Sequence, residues 1–180
     1  MINWTVLLIG GASGTGKSTI AYGLGKHYGI SVMEVDDIYE AVKSMTTIES
    51  HPAIHYWDTG VNWREVSIED NTRWLNNVSL EMMPAIKAIM DRRIEDKLPI
   101  IIEGDFIYPN LASLIDQLHV KVIFVNQSNE GQILQNYFNR EGGDLQEYRA
   151  KISASYNNHL QNLCKKSESR RYKWSLGTQQ

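Results

Sequence analysis

The segment that most restricts the fold of this 180-residue chain is GASGTGKS, residues 11–18. It fits the pattern G-x-x-x-x-G-K-[S/T] and follows the apolar run Val6–Ile9. The residues after it, Lys17–Tyr28, have the composition of a helix. The pattern needs a buried strand before it and a helix after it, and both are predicted here. The chain is therefore expected to contain a strand–loop–helix unit near its N-terminus.

This loop is suited to holding phosphate groups. Its glycines allow backbone torsions that point consecutive N–H groups inward, and the following helix adds the positive end of its dipole. Lys17 can reach the β and γ phosphates, Ser18 can bind Mg²⁺, and Thr19 lies near the α-phosphate. The rest of the predicted cradle comprises Gly11, Ala12, Ser13, Gly14, Thr15 and Gly16. The alternative, a plain connecting turn, gives Lys17 no role.

Strand and helix patterns alternate along the rest of the chain. A second strand is expected at Ser31–Val35, a third at 99–103 and a fourth at 120–125, each apolar. Helices are expected between them, including 110–117 and a long one at 67–97 that begins with the N-cap signature Ser67 and Asp70. The alternation predicts a three-layer α/β/α domain with a mainly parallel sheet.

Composition limits the function classes. The formal net charge is -3 and the pI about 5.9, which argues against a nucleic-acid polymer as partner. Cys164 is the only cysteine, and no apolar run is long enough to span a membrane. We expect a cytoplasmic protein with a small-molecule partner and no membrane. A homodimer is the assembly to test first.

The sequence argues against two other classes of nucleotide-binding protein. A GTPase would carry D-x-x-G and N-K-x-D, and neither string occurs. A mechanical ATPase would need larger subdomains than 180 residues allow. Small-molecule kinases remain.

The chain resembles the P-loop small-molecule kinases of the 2-phosphoglycerate kinase-like and zeta-toxin or chloramphenicol-phosphotransferase-like groups. The matching segments are Ile9–Thr19, Val35–Asp37 and Ile101–Gly104 with Pro109. The resemblance implies a nucleoside-kinase-like P-loop NTPase with strand order 2-3-1-4-5, a helical acceptor module at 46–98 and a lid at about 138–149 within one domain, 1–180. It also implies the cofactors ATP and Mg²⁺.

The same resemblance gives roles to three acidic residues. Asp36 or Asp37, after the second strand, would activate the acceptor hydroxyl. We favour Asp36 because it directly follows the strand, and Asp37 then suits the N-cap of the next helix. Glu103, at the end of the third strand, would hold a magnesium-bound water or contact the acceptor. A solvated strand-end carboxylate is the alternative for Glu103.

Arginines are expected on the lid. Arg140 is the candidate that closes over the transferred phosphate, and Arg149 the second candidate, which would contact the nucleotide. Arg140 could instead complement a helix dipole. Trp57, Trp63 and Trp74 suit a flat or partly apolar acceptor, and the alternative for each of them is packing of the neighbouring helices onto the sheet.

Two other functions stay open. One is a regulatory protein that binds a nucleotide without transferring phosphate. The other is a kinase of nucleic-acid ends, suggested by the basic residues of the segment 165–173.

Overall fold

The computed structural model describes residues 2–62, 65–109, 118–140, 146–168 and 176–178. Strands and helices alternate along the described chain, as predicted. Their bounds, in chain order, are β1 Val6–Gly10, α1 Lys17–Tyr28, β2 Ser31–Glu34, α2 Val35–Met45, α3 Ile68–Asp96, β3 Ile100–Gly104, β4 Val120–Asn126, α4 Glu130–Arg140, α5 Gln146–Glu168 and β5 Leu176–Thr178. A short 3₁₀ turn at Tyr56–Thr59 precedes α3.

The described strands form one parallel sheet in the order β2-β3-β1-β4-β5, which confirms the predicted order. In register, Gly10 of β1 lies opposite Gly104 of β3. Parallel strands end at the same edge of a sheet, so the loops after β1, β3 and β4 meet there. This edge carries the candidate site.

Helices cover both faces of the sheet. Val6, Leu8 and Ile102 point into a core formed with α2, α3 and α5, whereas Leu7, Ile9 and Ile101 face α1. All these residues are buried. The burial of both faces explains why β1 is apolar throughout and β3 is apolar up to Glu103, and it confirms the three-layer architecture.

The long helix α3 begins where the sequence predicts. The Ser67 side chain accepts a hydrogen bond from the Asp70 N–H at 3.0 Å, and the Ser67 hydroxyl donates to the Asp70 carboxylate at 2.7 Å. Pro84 lies inside the helix, which continues through it to Asp96. Among the described residues, no helix combines the length and the apolar character that crossing a bilayer requires.

The end of β2 differs from the prediction. The strand stops at Glu34, and Val35 already begins α2. Val35 is fully buried beneath Gly104, where an added Cβ would lie 2.6 Å from the Val35 Cβ. Valine favours strands by its local preference, but this packing fixes it in a helix. The predicted helix at 110–117 lies outside the described residues.

Candidate active site

The phosphate-binding loop adopts a conformation that only glycines tolerate well. Gly11, Gly14 and Gly16 have φ angles of 145°, 76° and 95°. The Thr15 hydroxyl closes the loop by donating to the carbonyl of Ala12 at 2.7 Å. Gly14 also packs against the Tyr137 ring, 3.2 Å from the position of an added Cβ. The loop geometry is therefore set by its own sequence and by α4.

Lys17 is 6% exposed and has two anionic or polar partners. Its Nζ donates to the carbonyl of Ala12 at 3.0 Å and forms an ion pair with Asp105 Oδ1 at 2.6 Å. Asp105 follows Gly104 at the carboxyl end of β3 and is 25% exposed. Sequence reasoning did not single out Asp105, although it lies two residues after the predicted Glu103.

Glu103 and Ser18 lie together beside Lys17. Glu103 is 3% exposed at the end of β3, and burial raises the pKa of its carboxyl, while a hydrogen bond with Ser18 and the charge of Lys17 oppose that rise. Hydroxyl and carboxylate oxygens are ligands that Mg²⁺ prefers. The two residues therefore fit a magnesium site completed by phosphate oxygens and water.

Asp36 occupies the first turn of α2, one residue beyond the start of the helix. Partial desolvation raises the pKa of Asp36 to about 6; the negative charge of Asp105 adds to the rise and Lys17 opposes it. The side chain still reaches solvent. Asp36 therefore lies in the electrostatic field of the Lys17 ion pair.

The N-cap role expected for Asp37 is wrong. The N-cap of α2 is Glu34, whose side chain makes no capping hydrogen bond, and Asp37 lies within the first turn. The cause is the early start of the helix at Val35, which moves the cap three residues toward the N-terminus. A carboxylate in the first turn still complements the helix dipole.

A cavity of about 500 Å³ opens beside the phosphate-binding loop. Its lining is polar and includes amide side chains from the β4–α4 loop and from α4. The lining residues are Gly14, Gly16, Lys17, Ser18, Thr19, Gln127, Gln132, Asn136, Asn139 and Arg140. Asn136 also donates to the carbonyl of Gly14 at 2.7 Å. We call this space the nucleotide cavity.

Another cavity, of about 450 Å³, is lined by Ser13 of the loop, and we call it the acceptor cavity. Trp57 and Trp74 form one wall, with ring centroids 5.0 Å apart in an edge-to-face arrangement. The Trp74 indole N–H donates to the carbonyl of Ala53 at 2.9 Å. Asp105 and Arg149 line the cavity as well. It thus combines flat apolar surfaces with charges of both signs.

Arg140 lines both cavities. Its Nη2 is 3.4 Å from the Ser13 hydroxyl, and its guanidinium lies 5.1 Å from the centroid of the Tyr137 ring. Arg149 lines the acceptor cavity and is not among the described residues that line the nucleotide cavity. Its assignment to nucleotide binding stays a prediction.

Polar side chains of α5 donate hydrogen bonds to backbone carbonyls of the loops around the site. The Ser153 hydroxyl donates to the carbonyl of Ser13, and Tyr156 donates to the carbonyl of Asp105 at 3.1 Å. One turn later, Asn157 donates to the carbonyl of Gln127 at 2.9 Å. Sequence reasoning did not identify this polar row on α5. The spacing of Ser153, Asn157 and Gln161 at four residues was the available signal.

Two arginines of α3 are not among the described residues that line either cavity. Arg73 pairs with Asp70 at 3.1 Å, and Arg92 pairs with Asp96 at 2.9 Å near the opposite end of α3. Trp63, Arg64, Arg170, Arg171 and Lys173 lie outside the described residues. Within the described chain, no cluster of three or more His, Cys, Asp or Glu side chains is arranged to hold a metal by itself.

Comparison with known proteins agrees with this geometry. No protein-family model matches the chain. Its curated relatives include the 2-phosphoglycerate kinases of Methanocaldococcus jannaschii and Pyrococcus horikoshii, 28% and 31% identical over 131 residues. These alignments cover 69% of this chain but only 42% and 43% of the relatives. The chain therefore matches less than half the length of each.

A solved structure of shikimate kinase from Acinetobacter baumannii, in complex with shikimate, has a TM-score of 0.50 and 16% identity. The match covers 98% of this chain and 85% of the shikimate kinase chain. This chain has a P-loop kinase fold. The resemblance to P-loop small-molecule kinases is thereby confirmed by named relatives and by the fold.

Proposed function

We propose that this protein is an ATP- and Mg²⁺-dependent kinase that transfers the γ-phosphoryl group of ATP to a hydroxyl group of a small molecule. The proposal rests on one arrangement: Lys17 of the nucleotide cavity contacts Asp105 of the acceptor cavity, and Arg140 lines both. Bound nucleotide and acceptor would meet at these side chains. The similarity to named kinases supports the same reaction class.

The proposed transfer is a direct displacement. The acceptor hydroxyl oxygen forms a bond to the γ-phosphorus, and the bond from that phosphorus to the β,γ-bridging oxygen breaks, which releases ADP. Asp36 accepts the hydroxyl proton. Lys17 and Arg140 stabilise the negative charge that spreads over the transferred group. The products are ADP and a phosphate monoester.

Ser18 and Glu103 are the residues that would hold magnesium. The hydroxyl of Ser18 would bind the ion directly, and the buried carboxylate of Glu103 would bind one of its waters. When bound, Mg²⁺ neutralises phosphate charge and orients the β and γ phosphates. A cytoplasmic site of action completes the proposal, since ATP is abundant there and Cys164 would stay reduced.

The acceptor would be a hydroxylated small molecule, such as a metabolite, a nucleoside or an antibiotic-like compound. Trp57 and Trp74 offer flat apolar surfaces, and Arg149 offers a cation to an anionic substituent. The relatives are named for 2-phosphoglycerate, a phosphorylated acceptor. Because Arg73 and Arg92 are engaged elsewhere, such an acceptor would depend on Arg140 and Arg149.

The test is ADP release from Mg·ATP with a panel of acceptors that includes 2-phosphoglycerate, shikimate, nucleosides and aminoglycoside or chloramphenicol-type antibiotics. A kinase gives ADP that depends on the acceptor and an equal amount of phosphorylated product by mass spectrometry. Tight ATP binding without ADP from any acceptor would instead favour the regulatory alternative. Labelling of RNA ends, weakened steeply by salt, would favour the nucleic-acid kinase.

A further inference from the structure

Asp105 lies at the boundary between the two cavities. Its Oδ1 is 2.6 Å from Lys17 Nζ, a group that lines the nucleotide cavity, while Asp105 itself lines the acceptor cavity. Among the described residues lining the acceptor cavity it is the only carboxylate; Asp36 is not among them. The Asp105 side chain thus lines the acceptor cavity and, through its ion pair, contacts the lysine that lines the nucleotide cavity.

The backbone at Asp105 is held in place. Its carbonyl accepts a hydrogen bond from the buried Tyr156 hydroxyl, and Gly104 before it packs tightly on Val35. Gly104 is also aligned with Gly10 at the end of β1. With the backbone fixed from three sides, the Asp105 carboxylate can change partner only by rotation of its side chain.

A bound nucleotide competes with Asp105 for the same ammonium group. Phosphate-binding loops of this type place their lysine on the β and γ phosphates. The Lys17 Nζ cannot keep a 2.6 Å contact with Asp105 and also approach phosphate oxygens without bringing two negative groups close together. Nucleotide binding therefore acts against the ion pair.

We propose that Asp105 couples the two cavities: it holds Lys17 when no nucleotide is bound, and nucleotide binding frees its carboxylate to accept a hydrogen bond from the acceptor hydroxyl. The inference rests on the proposed function. It adds to the proposed base Asp36 a second carboxylate, Asp105, which lines the acceptor cavity and would orient the hydroxyl while Asp36 takes its proton. It also gives the reaction an order, nucleotide first and acceptor second.

The first test is the affinity for Mg·AMP-PNP, measured by isothermal titration calorimetry. Asp105→Asn keeps the side-chain shape but removes the charge that competes with phosphate. We expect the dissociation constant to fall about tenfold, which corresponds to about 1.4 kcal/mol. A misfolded variant would bind less nucleotide, so tighter binding cannot arise from loss of structure.

The matched control is Asp91→Asn. Asp91 pairs with Lys87 at 2.5 Å on the exposed surface of α3, outside the described lining of both cavities, and the substitution makes the same charge change. We expect its nucleotide affinity to equal that of the wild type. An equal gain in both variants would overturn the proposal, because net charge would then explain it.

The second test is a crystal structure of the wild-type complex with Mg·AMP-PNP. A Lys17 Nζ on a phosphate oxygen and more than about 4 Å from Asp105, the limit of an ion pair, supports the coupling. An intact Lys17–Asp105 pair beside bound phosphates overturns it.

These outcomes are distinct from failure of the proposed function. If Lys17→Ala binds Mg·AMP-PNP as well as the wild type, the nucleotide site itself is misassigned and both proposals fail. If the wild type binds through Lys17 but Asp105→Asn binds no more tightly, only the coupling fails.

Discussion

At the scale of single residues, the candidate site depends on a buried cation. Lys17 is stabilised in the fold by the Asp105 carboxylate and the carbonyl of Ala12, so its charge is compensated before any nucleotide arrives. The remaining acidic residues nearby, Glu34, Asp36 and Glu103, make this edge of the sheet negative around one ammonium group. Magnesium would supply the positive charge that a nucleotide needs there.

Lys17→Ala is expected to abolish turnover, with a fall of at least about a hundredfold, because the phosphates lose their principal cation. The fold should persist, because the Asp105 carboxylate that loses its partner is 25% exposed and can be hydrated instead. Acceptor-dependent ADP release and the circular dichroism spectrum measure the two effects. Lys87→Ala, on the surface of α3, is the control. Wild-type turnover in Lys17→Ala would contradict the role.

The raised pKa of Asp36 predicts that kcat/KM depends on pH. Its pKa of about 6 means that the carboxylate needed as a base forms as the pH rises through 6, so kcat/KM should rise across this range and level off above it. The groups that face Asp36 are Lys17, Glu34, Glu103 and Asp105. In Asp36→Asn the rate should fall by orders of magnitude while nucleotide affinity persists.

The Asp36 carboxyl affects the free energy of unfolding in the opposite direction, because its stabilising contribution falls as the pH rises. The folded-state pKa of Asp36 is raised above the ordinary value near 3.9, so the folded protein binds this proton more tightly than the unfolded chain does. The stabilisation is complete at low pH and is lost as the pH rises from about 4 to about 6. Asp36→Asn should lack this loss in urea unfolding measured across that range, whereas the control Asp37→Asn should retain it.

At the scale of elements, the N-cap of α3 allows a test of helix stability alone. Ser67→Ala removes the hydrogen bond to the Asp70 N–H and should lower the free energy of unfolding by about 1 kcal/mol. Thr72→Ala, which loses a bond to the carbonyl of Ile68 inside the helix, is the control and should have a smaller effect. Equal effects of the two substitutions in urea unfolding would contradict the capping role.

Several of the elements were predicted correctly from the sequence. The apolar runs of β1 and β3 and the cap of α3 are local signals, so strand order and helix start were predictable from pattern and resemblance. The early start of α2 was not, because Val35 is placed by its packing against Gly104, which lies 69 residues later in the chain, rather than by its own preference. Asp105 escaped notice for the same reason, since it is singled out only by its ion pair with Lys17 at the start of α1.

At the scale of the whole molecule, the two cavities share Arg140 but not Arg149. Arg140→Ala should lower kcat about a hundredfold or more, because the transferred phosphate loses a cation. Arg149→Ala should mainly raise the KM for the acceptor. Lys151→Ala, on the exposed face of α5 beside Glu147, is the control for both. A raised KM for ATP in Arg149→Ala would instead favour its assignment to the nucleotide.

The contacts of α5 with the phosphate-binding loop have a consequence for folding. Ser13 and Ser153 are 140 residues apart in sequence, and the Tyr156 contact with Asp105 spans 51 residues. Contacts of such separation form late, because a long segment of chain must be ordered first. During synthesis the loop leaves the ribosome early, yet it gains these supports only after the helix at 146–168 has emerged. The growing chain thus acquires its complete phosphate site only near the end of translation of the described fold.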